Sequence, residues 1–228
     1  MKMENEEVYW HLIPLIRFET EVEIPIKSCR IRRISKKEND VILNSQALKM
    51  AWGAEFVSFI NCVMESPLPA SLCNDVISAL RIFKKEGISE LPHIDVVRKN
   101  GEIIHVQSVQ FWGSLYEITD SQVYTISKEE AKEFLQFEQK FVKSLEYSCV
   151  STAINRFSYA YKKGYAGDRL VDYVIALEAL FSEGSEDIGF KIMNRTPICV
   201  GIKKTLEERK RIREFVSTAY KIRSKNSS

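Results

Sequence analysis

Hydrophobic positions along the chain change their spacing near residue 127. Upstream, short runs alternate every second residue, as in Val22, Ile24 and Ile26 set between Glu23, Pro25 and Lys27. Downstream they recur every three or four residues, as in Phe134, Phe137, Phe141 and Leu145. A period of two marks a strand and a period near 3.6 marks an amphipathic helix. The pattern predicts an α+β protein, with a mixed α+β domain over 1–126 and an all-helical domain over 127–228.

In the first part, residues 8–34 read as two strands, with Pro14 and Pro25 favouring edge or bulged positions. Ser35 to Asp40 reads as a polar loop and Val41-Ile42-Leu43 as a short strand. Ser45 then caps a helix expected from Gln46 to about Glu65, carrying Leu48, Trp52, Phe56, Phe59 and Val63. Ser66-Pro67-Leu68-Pro69 breaks it, and a second helix is expected over 70–85, ended by Gly87. His93 to Arg98 and Glu102 to Phe111 flank Lys99-Asn100-Gly101, and Asn-Gly between strands signals a hairpin. A last short strand is expected over 122–126. Trp10, Trp52, Phe111 and Trp112 are read as core rather than as a base-stacking platform.

In the second part, Ser127-Lys128-Glu129-Glu130 and Thr205-Leu206-Glu207-Glu208 are capping boxes, each opening a helix. Between them, Ala153, Ile154, Phe157 and Tyr161 mark a helix ended by Lys163-Gly164, and Asp168 is the expected N-cap of the next. That next helix, 168–181, has no breaker. At ~100° per residue, Leu170, Val174, Leu177 and Phe181 form its apolar stripe. Phe190 to about Val200 is a weaker helix, with Pro197 able to kink or shorten it. The final helix runs from Thr205 towards Asn226.

Two charges are out of place in this pattern. Glu178 falls inside the apolar sector of helix 168–181. On the last helix Ile212, Val216 and Ala219 make a stripe, and one further step of four gives Arg223. An isolated buried charge costs several kcal/mol, so each of these needs a partner. The economical inference is that Glu178 and Arg223 meet, with Arg156 and Arg195 as rival partners for Glu178. Such a carboxylate is either one half of a structural ion pair or a group that holds a catalytic partner in place.

Composition adds limits. With 45% hydrophobic and 28% charged residues the chain is an ordinary globular one. No apolar run approaches the ~20 residues needed to span a bilayer, and the start has acids where a signal peptide has a basic and then an apolar segment. A cytoplasmic location, with no membrane association, is expected. Five dispersed cysteines without a CxxC pair fit reduced thiols. The histidines, His11, His93 and His105, form no metal-ligand spacing, so neither a metal nor another cofactor is expected. Residues 195–228 hold ten Lys/Arg and three Glu. That basic end points to a polyanion such as RNA or to a solvated helix face. Arg209, Lys210 and Arg213 are the candidate nucleic-acid contacts.

The helical part also resembles a known family. Ala153-Ile154-Asn155-Arg156-Phe157, Asp168-Arg169-Leu170-Val171-Asp172, Ile175-Ala176-Leu177-Glu178-Ala179-Leu180-Phe181 and Tyr220-Lys221-Ile222-Arg223-Ser224-Lys225 together resemble the Apea-like HEPN domains (higher eukaryotes and prokaryotes nucleotide-binding). Phe190-Lys191-Ile192, Arg195 and Glu208-Arg209 add to the likeness, which covers about 127–228. The resemblance implies a helical bundle, commonly a homodimer. Many such proteins are metal-independent ribonucleases of toxin–antitoxin, phage-defence or RNA-processing systems. Their motif is Arg, four to six residues, then His. The His assists proton transfer and the Arg stabilises charge on phosphate. Arg223 sits at the motif arginine. Glu178, Asp168 and Asp172 would form its supporting polar pocket.

This sequence departs from the motif. Ser228 stands where a gap of four would place the histidine, and residues 127–228 contain no histidine at all. Arginine stays protonated and cannot substitute for it. The reading is an RNA-associated, dimeric HEPN-like module without the catalytic histidine, with RNA and an antitoxin or defence partner as candidate ligands. The alternative is a non-catalytic dimeric sensor or regulator whose N-terminal domain recognises a ligand or partner. A third reading is RNA cleavage that borrows His93 or His105.

Overall fold

The computed structural model describes residues 8–48, 60–68, 73–84, 88–90, 93–110, 123–182, 184 and 186–226. Contacts divide the chain into two compact units, one ending at Val142 and one beginning at Lys143. The architecture is α+β, with an antiparallel sheet confined to the first unit. The change of periodicity near Ser127 and the division between units differ by one helix, α3 (Lys128–Ser144). Phe134 and Phe137 of α3 pack on Phe83 at ring-centroid distances of 5.4 and 5.6 Å, which ties the helix to the first unit.

In that unit β1 (Val8–Ile16) is central. It pairs antiparallel with β5 (Ile60–Ser66) along one edge, and with β7 (His93–Lys99) and β6 (Ser89–Glu90) along the other. Beyond β5 lie β4 (Arg30–Arg33) and β3 (Ile24–Pro25), and beyond β7 lies β8 (Glu102–Gln110). A parallel pair joins β2 (Phe18–Thr20) to β9 (Tyr124–Ile126), where Phe18 and Tyr124 stack at 5.3 Å. Leu12, Val63, Ile94, Val96 and Ile103 are buried in one cluster with Ile42 of α1 (Lys36–Asn44). Each fully buried side chain of this size contributes about 1.5–3 kcal/mol. Helix α2 (Asn74–Phe83) buries Val76, Ile77 and Leu80, and the Tyr124 hydroxyl donates to the Leu80 carbonyl at 2.7 Å.

The hairpin read at Asn100-Gly101 is present. Lys99 pairs with Glu102 across it, and both turn residues have positive φ, 52° and 82°, as a two-residue primed turn requires. Three other expectations need correction. Val41 to Leu43 belong to α1, not to a strand. Ser35 and Glu38 form a capping box there, with the Glu38 amide donating to Ser35 Oγ at 3.2 Å and the Ser35 amide to Glu38 Oε2 at 3.0 Å. The helix expected over 46–65 starts as read, with the Leu48 amide donating to Ser45 Oγ at 3.3 Å, but Ile60 to Ser66 are strand β5. Sheet pairing on both edges overrides a helix-like spacing there. Trp52, Phe56 and Phe59 lie outside the described residues, as do Phe111 and Trp112. Pro14 sits in the central strand. Among the described residues it lies where β1 changes neighbour, between the β7 pairing that ends at Leu12 and the β6 pairing that begins at Leu15, so no ladder bond along that edge needs its missing N–H.

An ionic cluster lies on the α1 face of this sheet. Glu65 has no exposure, and its Oε1 accepts from Arg30 Nε. Its Oε2 accepts from Arg32 Nη2 and from Arg98 Nη2, both at 2.6 Å. Glu38 bridges the same two arginines, at 2.6 Å to Arg32 and 3.2 Å to Arg98. The Arg98 guanidinium also lies 5.2 Å from the Trp10 ring centroid, a cation–π contact. Burial works against the Glu38 carboxylate, but the Arg32 guanidinium together with the Ser35 amide and hydroxyl outweighs it and holds the pKa down at about 2.

The second unit is helical: α4 (Ser148–Tyr161), α5 (Ala166–Phe181), α6 (Ile188–Val200) and α7 (Leu206–Asn226). Helix α5 touches all three others. That explains why most of its apolar residues are at least partly covered, whichever way they point. Tyr165, not Asp168, is the N-cap of α5, and Asp168 lies exposed in the first turn. The Thr205 box is formed, with the Glu208 amide donating to Thr205 Oγ1 at 3.3 Å. A side chain on Gly189 would meet the Tyr220 ring at 2.8 Å, so this glycine allows α6 and α7 to approach closely. No helix among the described residues is long and apolar enough to cross a membrane.

Two predictions follow from the ionic cluster. Glu65→Ala removes the enclosed carboxylate from Arg30, Arg32 and Arg98, leaves Glu38 alone to the last two, and should destabilise the first unit by about 3–5 kcal/mol in urea denaturation. Glu38 is depressed in the folded state, so its contribution is complete above its unfolded value of 4.5 and is lost as pH falls towards about 2. Replacing it by glutamine should flatten the fall in stability between those two pH values, read by thermal melts across the acid range.

Candidate functional site

Each of the two misplaced charges lies one step along an otherwise apolar stripe. On α7, Val216 and Ala219 are buried, and Arg223 follows them on the same face. On α5, Glu178 lies next to buried Val174. Arg223 Nη2 donates to Glu178 Oε2 at 3.2 Å, and the side chains are 29% and 14% exposed. The two residues therefore meet, as the sequence pattern requires. Burial pushes the Glu178 carboxyl above the usual carboxylate range, and the Arg223 guanidinium only partly offsets that. Glu178 Oε1 is buried without a hydrogen-bond partner among the described residues. The pair is joined by one bond, not a two-pronged clamp.

The rival arginines are engaged elsewhere. Arg156 Nη1 donates to Asp172 Oδ1 at 3.4 Å, and Arg195 Nη1 donates to the Phe181 carbonyl at 2.6 Å. Asp172 is buried beside Arg156. Asp168 lies ten residues before Glu178 on α5, about 15 Å along the axis at 1.5 Å per residue. The geometry thus brings Glu178 to Arg223 and Asp172 to Arg156, and leaves Asp168 at the surface. Arg209 donates to the Gly201 and Ile202 carbonyls at 2.8 and 3.1 Å, tying down the turn after α6. Lys210 and Arg213 are exposed.

What Arg223 can do is hold an anion by charge and N–H donation. It cannot move a proton at neutral pH. Two of the buried cysteines, Cys29 and Cys62, are poor nucleophiles. Contact with Cys73 and burial push the Cys29 thiol far up, and burial pushes Cys62 up to about 11, the signature of inert structural thiols.

The first unit holds a constellation that sequence spacing does not reveal. His11 Nδ1 lies 2.6 Å from Asp95 Oδ1, and Ser108 Oγ donates to Asp95 Oδ2 at 2.5 Å. A carboxylate only accepts, so Nδ1 carries the proton and Nε2 is the basic nitrogen. The three residues come from β1, β7 and β8. Strand register puts them in line, Asp95 opposite both His11 and Ser108. His105 shares that face, bonded to Gln107 at 2.9 Å. Asp95 lies between the histidine and the serine, so His11 does not activate Ser108. The same unit has an open cleft of about 350 Å³ lined by Glu19, Arg33, Ser35, Lys36, Asn39 and Asn61 among others. The Asn39 side-chain carbonyl oxygen, Oδ1, is buried without a hydrogen-bond partner among the described residues. No group of three or more His, Cys, Asp or Glu among the described residues is placed to hold a metal ion.

Comparison with protein-family models, with curated proteins and with solved structures found no match.

Glu178→Ala should destabilise the helical unit by about 1.5–3 kcal/mol, the range for a hydrogen bond to a charged group, measured by chemical denaturation. A change below about 0.5 kcal/mol would mean the pair contributes nothing net, as exposed pairs often do.

Proposed function

We propose that this chain is an RNA-associated protein whose helical unit is an HEPN-like, homodimeric module that lacks, within residues 127–228, the motif histidine of the ribonucleases it resembles. One observation carries the reading. Arg223, where the resemblance puts the motif arginine, is held by Glu178 across two helices while 29% of its side chain stays open to solvent. A guanidinium so placed can contact a phosphate. Residues 127–228 contain no histidine, so the proton-transfer group of the motif that the resemblance implies is missing from them. The relatives implied by the resemblance act in defence and toxin–antitoxin systems, so a protein partner of that kind belongs to the proposal.

Dimer formation is supported by large apolar side chains that stay uncovered on the last two helices. Phe190, Ile198 and Phe215 are 65%, 60% and 71% exposed. Isolated apolar side chains at a surface are ordinary, but several on adjacent helices mark an interaction face. The dimer should dissociate on Phe215→Glu, seen as a halved mass in light scattering with an unchanged circular dichroism spectrum.

A specific observation favours the sensor reading as the second choice. The cleft at the start of α1 joins Arg33 and Lys36 to the Asn39 side-chain carbonyl oxygen, which has no partner among the described residues. A small polar ligand there would make the first unit a recognition module.

RNA affinity separates the two. Phosphate contacts make log Kobs fall linearly with log salt, by about 0.7 per contact on a single strand. The RNA reading expects a slope of at least two contacts and no cleavage products. An affinity indifferent to salt, or no binding in low salt, would remove it in favour of the sensor.

A further inference from the structure

The turn joining α4 to α5 presents a stripe of cations and aromatic rings to solvent. Asn155, Arg156 and Tyr159 of α4, and Lys162 and Lys163 just past its end, are all exposed. Residues three and four apart on a helix are neighbours, about 5–6 Å between Cβ atoms, so Asn155, Arg156 and Tyr159 share one outward face. Lys162 and Lys163 follow at the helix end, and Tyr165 is the N-cap of α5 two residues on. Tyr159 and Tyr165 are 57% and 78% exposed. Tyr161, in contrast, turns inward, its ring 5.1 Å from that of Phe157, which lies 5.8 Å from Tyr173. Residues 156–169 hold four Lys/Arg and one acid, Asp168, which is also exposed.

The turn is held in shape. Arg169 Nε donates to the Lys163 carbonyl at 2.7 Å and Nη2 to that of Gly164 at 3.4 Å. The Lys162 amide donates to the Tyr159 carbonyl at 2.9 Å. Arg156 spends one N–H on Asp172 and remains 46% exposed. The two exposed rings and the cations beside them therefore stand on an ordered backbone, which lowers the cost of ordering them against a ligand.

We propose that Tyr159 and Tyr165, with Arg156, Lys162 and Lys163, form a stacking and phosphate-binding platform for single-stranded RNA on the α4–α5 turn. The inference rests on the RNA reading above and gives it a surface separate from Arg223. Tyrosine offers a flat ring face to a base, and lysine and arginine offer charge to the backbone, the combination by which unpaired strands are held without sequence preference. A duplex hides its base faces and leaves the rings nothing to stack on, so the platform prefers the unpaired form.

The test is fluorescence anisotropy of the whole chain with an oligouridylate and with a duplex RNA over a salt series. Wild type should bind the single strand more tightly. Tyr159→Ala and Tyr165→Ala should each weaken it about tenfold, while Tyr159→Phe and Tyr165→Phe retain affinity because stacking uses the ring face. Replacing Lys162 and Lys163 together by alanine should reduce the salt slope by about 1.4. All of these side chains are exposed, and circular dichroism melts serve as the check on folding. Binding by wild type that none of the substitutions changes overturns the platform and leaves the RNA reading standing. Equal affinity for the duplex also overturns the platform. No binding by wild type to either RNA overturns both, and binding to polyglutamate alone would reassign the stripe to an acidic protein.

Discussion

A carboxylate and a guanidinium on separate helices, each set where its helix otherwise buries hydrocarbon, organise the helical unit. Glu178 and Arg223 could not occupy those positions alone, because each would leave an uncompensated charge in a partly apolar setting. Their bond at 3.2 Å links α5 to α7 and disfavours rotations that would separate the two charges. Helix α5 also touches α4 and α6, so what constrains its rotation constrains the unit. The functional reading depends on the same contact, since it determines where the guanidinium can meet an anion.

Charge burial is used differently in the two units. In the sheet, Glu65 is fully enclosed and shared among three arginines, with Glu38 capping α1 and bracing two of them. Arg30 also reaches Glu23 at 3.3 Å, and Trp10 covers part of the cluster. Such an arrangement joins β4, β5, β7 and α1 and leaves little for a ligand to gain. The Glu178–Arg223 pair is thinner, with one bond, a carboxyl raised by burial and an oxygen without a partner among the described residues.

Elements in both units were legible where their signals are local. The Ser127 and Thr205 capping boxes, the Asn100-Gly101 turn and the two stripes with their misplaced charges each lie within a few residues of chain. Most of what failed depended on distant residues, and the start of α1 is the exception. Ser35 and Glu38 carry the same capping pattern as Ser127 and Glu130, but the charges around them and the aliphatic run at Val41 suggested loop and strand. Ile60 to Ser66 became a strand because β4 and β1 pair with it, which no local spacing records. His11 and Asp95 are 84 residues apart, and only the register of three strands brings them together with Ser108. Asp168 and Asp172 were grouped with Glu178 by family likeness, whereas helix geometry separates them along α5.

A double-mutant cycle on Glu178→Gln and Arg223→Gln, followed by chemical denaturation, tests the central contact most directly. Two side chains that act as one unit should show a coupling free energy of about 1 kcal/mol or more. Additivity within about 0.3 kcal/mol would mean that the two residues ignore each other. The proposed placement of Arg223 as a phosphate contact would then have no structural basis.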